Sequence, residues 1–89
     1  TVRRLVRILD SVVTLGLIPH ERGRRFQDQD RAVGLGVMGW TLALYKHGID
    51  FESSQHVVFS SEVWKQISVT AIHESHLLSQ EKGSYKTFD

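Results

Sequence analysis

The sequence predicts an α/β fold that is mostly helical with one short glycine-rich strand. Three observations lead to this prediction. Apolar residues recur at three- and four-residue steps near the start of the chain, a short apolar stretch at 31–37 is interrupted by glycine, and residues 54–82 contain neither glycine nor proline. The first and third patterns are typical of helices, and the second is typical of a buried strand.

The first predicted element is a helix over 2–15. Its apolar side chains repeat with helical spacing, and arginines and other polar residues fill the remaining positions. Gly16 lies where helices commonly end, and Pro19 prevents the helix from continuing. In the segment 19–30 the only large apolar side chain is Phe26. That segment is therefore predicted to be a solvated linker.

A strand over 31–37 and a short helix over 40–47 are predicted next. The first of these segments is short, apolar and punctuated by glycine, which is unfavourable in helix interiors. Glycine in a strand also lets another backbone or a ligand come close. The helix begins at about Trp40 and is stopped by Gly48.

The last predicted element is a long helix over 54–82. Ser53 or Ser54 is a suitable N-cap, and Gly83 closes the other end. Apolar residues cover more than one side of this helix, and the three shorter elements are too small to cover them all. Because the chain also starts inside an amphipathic pattern, we expect it to be a piece of a larger protein.

Length and composition restrict the possible functions. The chain has 89 residues, 40% hydrophobic and 24% charged side chains, a net charge of +1 and no cysteine. The absence of thiols excludes thiolate nucleophiles, redox pairs, cysteine-ligated zinc and iron–sulfur clusters within these residues. No apolar run approaches the roughly 20 residues of a membrane-spanning helix. The near-neutral charge argues against a nucleic-acid partner, and a cytoplasmic location is expected.

One glycine motif has a possible binding function. Residues 34–39 match G-x-G-x-x-G, with Gly34, Gly36 and Gly39 between a predicted strand and a predicted helix. In dinucleotide-binding folds such glycines permit a tight turn, and the next helix N-terminus receives the pyrophosphate. Here the preceding strand is too short, and no second strand ending in an acid follows at the expected distance. A small dinucleotide-binding module is therefore kept as an alternative.

The histidines and arginines are interpreted as structural. His73, Glu74 and His76 share the long helix, but their spacing is one residue short of H-E-x-x-H and no third ligand lies nearby. The arginines are interleaved with acids, so helix solvation and ion pairing are expected. They lie at positions 3, 4, 7, 22, 24, 25 and 31.

The remaining aromatic and histidine side chains are also interpreted as structural. The aromatic residues at helical positions are expected in the core, and the lone histidines at the surface. The aromatic set is Trp40, Tyr45, Phe59 and Trp64, and the histidine set is His20, His47 and His56. We therefore assign no catalytic, cofactor-binding or metal-binding residue to this chain.

Several segments together resemble one enzyme family. The stretch Arg31–Gly39, followed by Ala43–Ile49, looks like the large (catalytic) subunit of ribonucleotide reductase. The likeness extends to Val6–Val13, Ile18-Pro19, Ala71–Leu78 and Gln80–Tyr85. It covers essentially the whole chain, and the combination is more specific than any single motif.

This resemblance implies a parent enzyme that reduces ribonucleotides to deoxyribonucleotides by radical chemistry inside a ten-stranded α/β barrel. Residues 34–39 would then be a barrel strand and turn, with the glycines serving close packing. The family's cysteine-bearing radical loop precedes this region, its substrate phosphate loop follows it, and its redox cysteines lie elsewhere. No family catalytic residue therefore falls on a position of this sequence.

The resemblance also implies cofactors and partners. None of the cofactors is expected in this segment. The parent is expected to depend on nucleotide effectors and on a radical generated by a metal-bearing small subunit, or on adenosylcobalamin. The ending Glu81–Tyr85 favours the small-subunit type. Expected partners are the rest of the large subunit, a second large subunit, the small subunit and a ribonucleotide substrate.

We therefore predict that residues 1–89 are an internal fragment of the barrel domain of such a large subunit. The fragment is expected to be structural, poorly folded and inactive when isolated. The alternatives are the dinucleotide-binding module and a helical interaction module with no enzymatic role.

Overall fold

A computed structural model describes residues 1–88 of the chain. Over this range the elements are four α-helices: α1 at Val2–Leu15, α2 at Glu21–Asp30, α3 at Trp40–Lys46 and α4 at Ser54–Lys82. The bounds of α1 and α4 coincide with the predicted helices, and α3 ends one residue before the predicted 40–47, where His47 is the C-cap.

The chain divides into two compact units. The first unit contains Thr1–Leu35 and the segment from Thr70 onward, and the second unit contains Gly36–Val69. The first unit therefore holds α1, α2 and the end of α4. The second unit holds α3 and the beginning of α4.

The prediction of a linker over 19–30 is wrong for most of its length, because Glu21–Asp30 forms α2. This helix has no apolar stripe, and a polar side chain stabilises its N-terminus instead. His20 is its N-cap, and the ring nitrogen Nδ1 accepts a hydrogen bond from the backbone N–H of Arg22 at 3.2 Å. Such a cap satisfies one of the backbone donors that a helix N-terminus leaves unpaired.

Polar side chains also hold α2 along its length. Arg25 donates to the carboxylate of Glu21, one turn earlier, at 2.6 Å. Gln27 Nε2 donates to the backbone carbonyl of Val13 in α1 at 2.6 Å. The helix ends at Arg31, whose backbone is left-handed with φ 50°. Hydrogen bonds and an ion pair thus stabilise a helix that periodicity alone does not reveal.

The predicted strand over 31–37 is also wrong. This segment is irregular, and residues 1–88 contain no strand. A strand depends on hydrogen bonds to a neighbouring strand, which no other segment in that range supplies. The described part of the chain is therefore helical, not α/β.

Glycines in the left-handed conformation border the short helix α3. Gly39 precedes it with φ 74°, and Gly48 follows it with φ 66°. After the second glycine the chain turns back, and the N–H of Ile49 donates to the carbonyl of Leu44 at 2.9 Å. Side chains with a Cβ rarely adopt this conformation, so the two glycines set where α3 begins and ends.

Few apolar side chains are buried in either unit. Among the described residues, Val6 and Leu78 are buried in the first unit and Leu44 in the second. Tyr45, which the sequence predicted to be core, is 81% exposed. Other large apolar residues stay exposed on α1 and α4, including Ile8, Val12, Val57, Val69 and Ile72.

Within the described residues, none of the helices combines the length and hydropathy that a membrane span requires.

Candidate functional site, a charged junction in the first unit

Charged side chains from three parts of the first unit converge on one another. They come from α1, from the C-cap of α2 and from the end of α4. We call this group the charged junction. It consists of Arg3, Arg7, Asp10, Arg31, Glu74, Glu81 and Lys82.

Helical spacing explains why these side chains can meet. On α1, Arg3, Arg7 and Asp10 follow one another at steps of four and three residues, so they lie along one face. On α4, Glu74 and Glu81 are seven residues apart and also share a face. One face is mainly basic and the other is acidic, so the two helices attract each other along the contact.

Glu74 is the buried centre of the junction. Only 1% of its side chain is exposed. Arg3 Nε donates to one carboxylate oxygen at 3.0 Å, and Arg7 Nε donates to the other. These hydrogen bonds, from Arg3 first and Arg7 second, lower the pKa of Glu74 below its usual range despite the opposing effect of burial. A carboxylate removed from water is tolerated because it is paired in this way.

Arg7 joins two acids on α4. Besides the contact with Glu74, its two terminal nitrogens donate to both oxygens of Glu81 at 3.1 and 2.9 Å. The hydrogen bonds with Glu81 and Glu74 raise the pKa of Arg7, and the bond from Arg7 lowers the pKa of Glu81. This bidentate geometry is the strongest form of an arginine–carboxylate pair.

Asp10 connects α1 with the other two parts of the junction. Lys82 Nζ donates to one of its oxygens at 2.8 Å, and Arg31 donates to the other at 2.8 Å. Arg31 also donates to the backbone carbonyl of Asp10 at 3.0 Å and to the hydroxyl of Thr14 at 2.7 Å. Partial burial alone would raise the pKa of Asp10, but the bonds from Lys82 and Arg31 outweigh it and lower the pKa.

The ion pairs of the junction hold α1, the C-cap of α2 and the end of α4 together. Each carboxylate is paired with at least one cation, so the acids serve to hold helices together. A cleft of about 700 Å³ lies beside it, with Asp10, Arg31, Lys82, Leu78 and Phe88 in its lining. Nowhere in residues 1–88 do three or more histidines or acids stand where they could hold a metal ion.

The structure does not bring together the residues of the H-E-S-H segment. His73 is exposed, and His76 lies beside Gln80, with 3.2 Å between their side-chain nitrogens. Glu74 points instead to the arginines of α1. The buried role of Glu74 was missed from the sequence. The available signal was its place among apolar residues at helical spacing on α4.

The glycine motif at 34–39 lacks the surroundings of a dinucleotide site. No strand precedes it within the described residues, and the helix that follows has only seven residues. A Cβ placed on Gly34 or Gly36 would meet no atom of the described residues within 4 Å. The dinucleotide-binding alternative is therefore wrong about its strand–turn–helix context.

The expected ion pairing of the arginines is found. Arg3, Arg7 and Arg31 belong to the charged junction, and Arg25 pairs with Glu21 within α2.

Three of the four aromatic residues expected in the core lie together in the second unit, but none of them is fully buried, and Trp64 is 36% exposed. Trp40 packs on Phe59 and Trp64 with ring centroids 5.3 and 6.4 Å apart. Of the histidines expected at the surface, His20 and His47 are exposed but His56 is half-buried.

Comparison with known proteins identifies the family. The family model described as "Ribonucleotide reductase, barrel domain" matches residues 1–89. The ribonucleoside-diphosphate reductase subunit alpha of Helicobacter pylori (strain ATCC 700392 / 26695) is 40% identical over 85 residues, which cover 96% of this chain and 11% of the relative. That of Treponema pallidum is 38% identical over 87 residues, which cover 98% of this chain and 10% of the relative.

The same subunit of Chlamydia pneumoniae is 39% identical over 88 residues, which cover 99% of this chain and 8% of the relative. The chain thus spans about a tenth of the length of the relatives it matches. No solved structure matches it at a significant level. The family resemblance seen in the sequence is confirmed, and the chain belongs to the ribonucleotide reductase barrel-domain family.

Proposed function

We propose that this chain is part of the large subunit of a ribonucleoside-diphosphate reductase and that its role there is structural. One observation carries the proposal: a barrel-domain family model spans all of residues 1–89. Reduction of ribonucleotides to deoxyribonucleotides by radical chemistry is, in this proposal, the activity of the whole subunit.

The structural role is supported by the charged junction. Its acids are satisfied by its own arginines and lysine, which leaves them as helix-fixing groups. The chain also contains no cysteine. The radical and redox cysteines that the resemblance implies would therefore lie in other parts of the subunit, and no catalytic step is assigned to these residues.

The ten-stranded α/β barrel is part of the proposal. In the whole subunit, neighbouring barrel strands would pack against residues 31–37, which form no strand here. Val33 and Val37, 51% and 45% exposed here, would then be available for packing. The open space around Gly34 and Gly36 leaves room for a neighbouring backbone.

Cofactors and partners complete the proposal. The subunit would respond to nucleotide effectors and take its radical from a metal-bearing small subunit, or from adenosylcobalamin. It would pair with a second large subunit, bind a ribonucleotide and act in the cytoplasm. The relatives are named as alpha subunits, which supports an assembly of more than one kind of subunit.

A hybrid subunit tests the proposal. In the Helicobacter pylori subunit alpha, the matched segment is replaced by the aligned residues of this chain, and formation of deoxyribonucleotide is measured with the native partner subunit. We expect the hybrid to fold and to be active. In a matched control, the residues that replace α4 are an unrelated helical sequence of the same length, and this protein is expected to lose folding and activity together.

Two results would contradict the proposal in different ways. A hybrid that does not fold would show that the segment is not equivalent to the one it replaces. A hybrid that melts like the native subunit but forms no deoxyribonucleotide would show that the segment contributes chemistry rather than structure.

A further inference from the structure

One residue at the end of α2 has an uncommon backbone conformation. Among residues 1–88, Arg31 is the one non-glycine residue with a positive φ, at 50°, and its ψ is 43°. In this left-handed region the Cβ of an L-residue lies too close to the following carbonyl oxygen, and glycine avoids that cost. A residue with a long side chain stays in such a conformation only where surrounding contacts impose it.

The side chain of Arg31 makes such contacts with α1. Its Nη2 nitrogen donates to Asp10 Oδ1 at 2.8 Å and to Thr14 Oγ1 at 2.7 Å, and it lies 3.0 Å from the backbone carbonyl oxygen of Asp10. The hydroxyl of Thr14 donates to that same carbonyl at 3.2 Å. Because only 26% of the Arg31 side chain is exposed, these charge-assisted hydrogen bonds are partly shielded from water.

Further hydrogen bonds hold the same turn of α2. The N–H of Arg31 donates to the carbonyl of Gln27 at 3.0 Å, and the side chain of Gln27 donates to the carbonyl of Val13 in α1 at 2.6 Å. From the segment after α4, the hydroxyl of Thr87 donates to the carbonyl of Gln29 at 3.2 Å. The end of α2 is thus fixed by two other parts of the first unit.

We propose that Arg31 is a positioning residue whose hydrogen bonds to α1 hold its own backbone in the left-handed conformation and so direct the chain out of α2. After this turn Val33 lies in the lining of the cleft beside the charged junction, together with Val6 and Leu78. Without the contacts to α1, right-handed or extended conformations are favoured at residue 31. Residues 32–35 would then leave α2 in another direction.

Hydrogen exchange in the hybrid subunit tests this role. Amide exchange at pH 7.5 is followed by mass spectrometry in peptides that cover the end of α2 and residues 32–35. Arg31→Met removes the hydrogen-bond donors but keeps a Cβ, so these amides should lose protection. Arg31→Gly removes the donors and the Cβ together. It should be protected roughly 5- to 30-fold more than Arg31→Met, because glycine adopts the left-handed conformation without the steric cost.

Arg25 provides a matched control on the same helix. It lies inside α2, where it pairs with Glu21 at 2.6 Å and 72% of its side chain is exposed. Glycine is less favourable than methionine inside a helix. The order of the two variants should therefore be reversed at this position, with Arg25→Gly less protected than Arg25→Met.

Thr14→Val tests the same contact from the side of α1. Valine has nearly the shape of threonine but lacks the hydroxyl that accepts from Arg31. We expect this substitution to lower the protection of the end of α2 when Arg31 is present. It should have little effect in the hybrid that carries Arg31→Met, because the hydrogen bond is already lost there.

The inference is overturned if Arg31→Gly is protected no better than Arg31→Met, or if Thr14→Val lowers protection equally with and without the arginine. The choice of the hybrid subunit rests on the proposed function. Exchange is nevertheless read from local amides, so the result does not depend on whether the hybrid forms deoxyribonucleotide.

Discussion

At the scale of single residues, Glu74 shows how one side chain can determine the placement of a helix. Its carboxylate is 1% exposed, whereas the side chains of its partners Arg3 and Arg7 are 65% and 42% exposed. The arginines can be solvated without Glu74, but Glu74 has no access to water. The burial of Glu74 is therefore favourable only while α1 lies against α4.

The charged junction should make the free energy of unfolding depend on pH in the acidic range. The pKa values of Asp10, Glu74 and Glu81 are lowered from usual values of 3.8, 4.5 and 4.5. An unfolded chain therefore binds more protons than the folded one in this range. The stabilisation is fully present above about pH 4.5 and is lost as the pH falls through the lowered values.

Thermal unfolding of the hybrid subunit and its Glu74→Gln variant between pH 7 and pH 3 measures this contribution. We expect the variant to melt at a lower temperature at pH 7, and the difference to narrow below about pH 4.5. Glu81→Gln is the matched control, because Glu81 is 53% exposed and, within residues 1–88, forms an ion pair only with Arg7. Its effect should be smaller, and a difference for Glu74→Gln that stays constant with pH would contradict the assignment.

At the scale of elements, α3 begins and ends next to glycines with positive φ, and the energetic cost of replacing such a glycine can be measured. Gly48 has φ 66°, and a Cβ added to it would meet no atom within 4 Å in the part of the chain that the structure describes. The cost of a substitution at this position is therefore conformational rather than steric. Gly23 lies inside α2, where alanine is the better helix former.

Opposite effects are therefore expected from the same substitution. Gly48→Ala should destabilise the hybrid by about 1 to 2 kcal/mol, the cost of a left-handed residue with a side chain. Gly23→Ala should be neutral or stabilise by up to about 1 kcal/mol, once Ile18 shifts by the few tenths of an ångström that relieve the 3.1 Å contact between its Cγ2 and the added carbon. Chemical denaturation measures both values. Equal effects would mean that α3 does not end at a left-handed residue in the assembled subunit.

The elements that the sequence predicted correctly are those with apolar residues at helical spacing. Periodicity and a terminal glycine gave α1, α3 and α4 within one residue of their bounds. The polar helix α2 was missed because its contacts are with His20 and with the backbone of α1, which no local apolar pattern records. The strand at 31–37 was wrong because a strand is defined by a partner, and none lies in residues 1–88.

The sequence predicted that the arginines form ion pairs, but it did not predict which acids they contact, because those contacts depend on tertiary packing. Interleaved charges predicted ion pairs for the arginines, and these pairs exist. The choice of Glu74 as their buried centre depends on which face of α4 meets α1. That face is fixed by tertiary packing and is not visible in the spacing of either helix alone.

At the scale of the whole molecule, the exposed apolar surface indicates how far the chain can stabilise itself. Among the described residues the buried apolar side chains are Val6, Leu44 and Leu78. Leu17 and Met38, by contrast, are 96% and 99% exposed. Burial of apolar surface is the main term that offsets the conformational entropy lost on folding. Caps and ion pairs stabilise the individual helices, but too little apolar surface is buried to stabilise the packing of one helix against another.

The isolated chain should therefore be helical without being cooperatively folded, and it should have no reductase activity. We expect a helical far-ultraviolet circular dichroism spectrum, weak near-ultraviolet bands from Trp40 and Trp64, and a gradual thermal change without a sharp midpoint. The hybrid subunit, in which the same residues have the rest of the protein around them, should melt cooperatively. A sharp transition and strong tryptophan bands in the isolated chain would contradict this expectation, and a stable dimer by sedimentation would instead favour a helical interaction module.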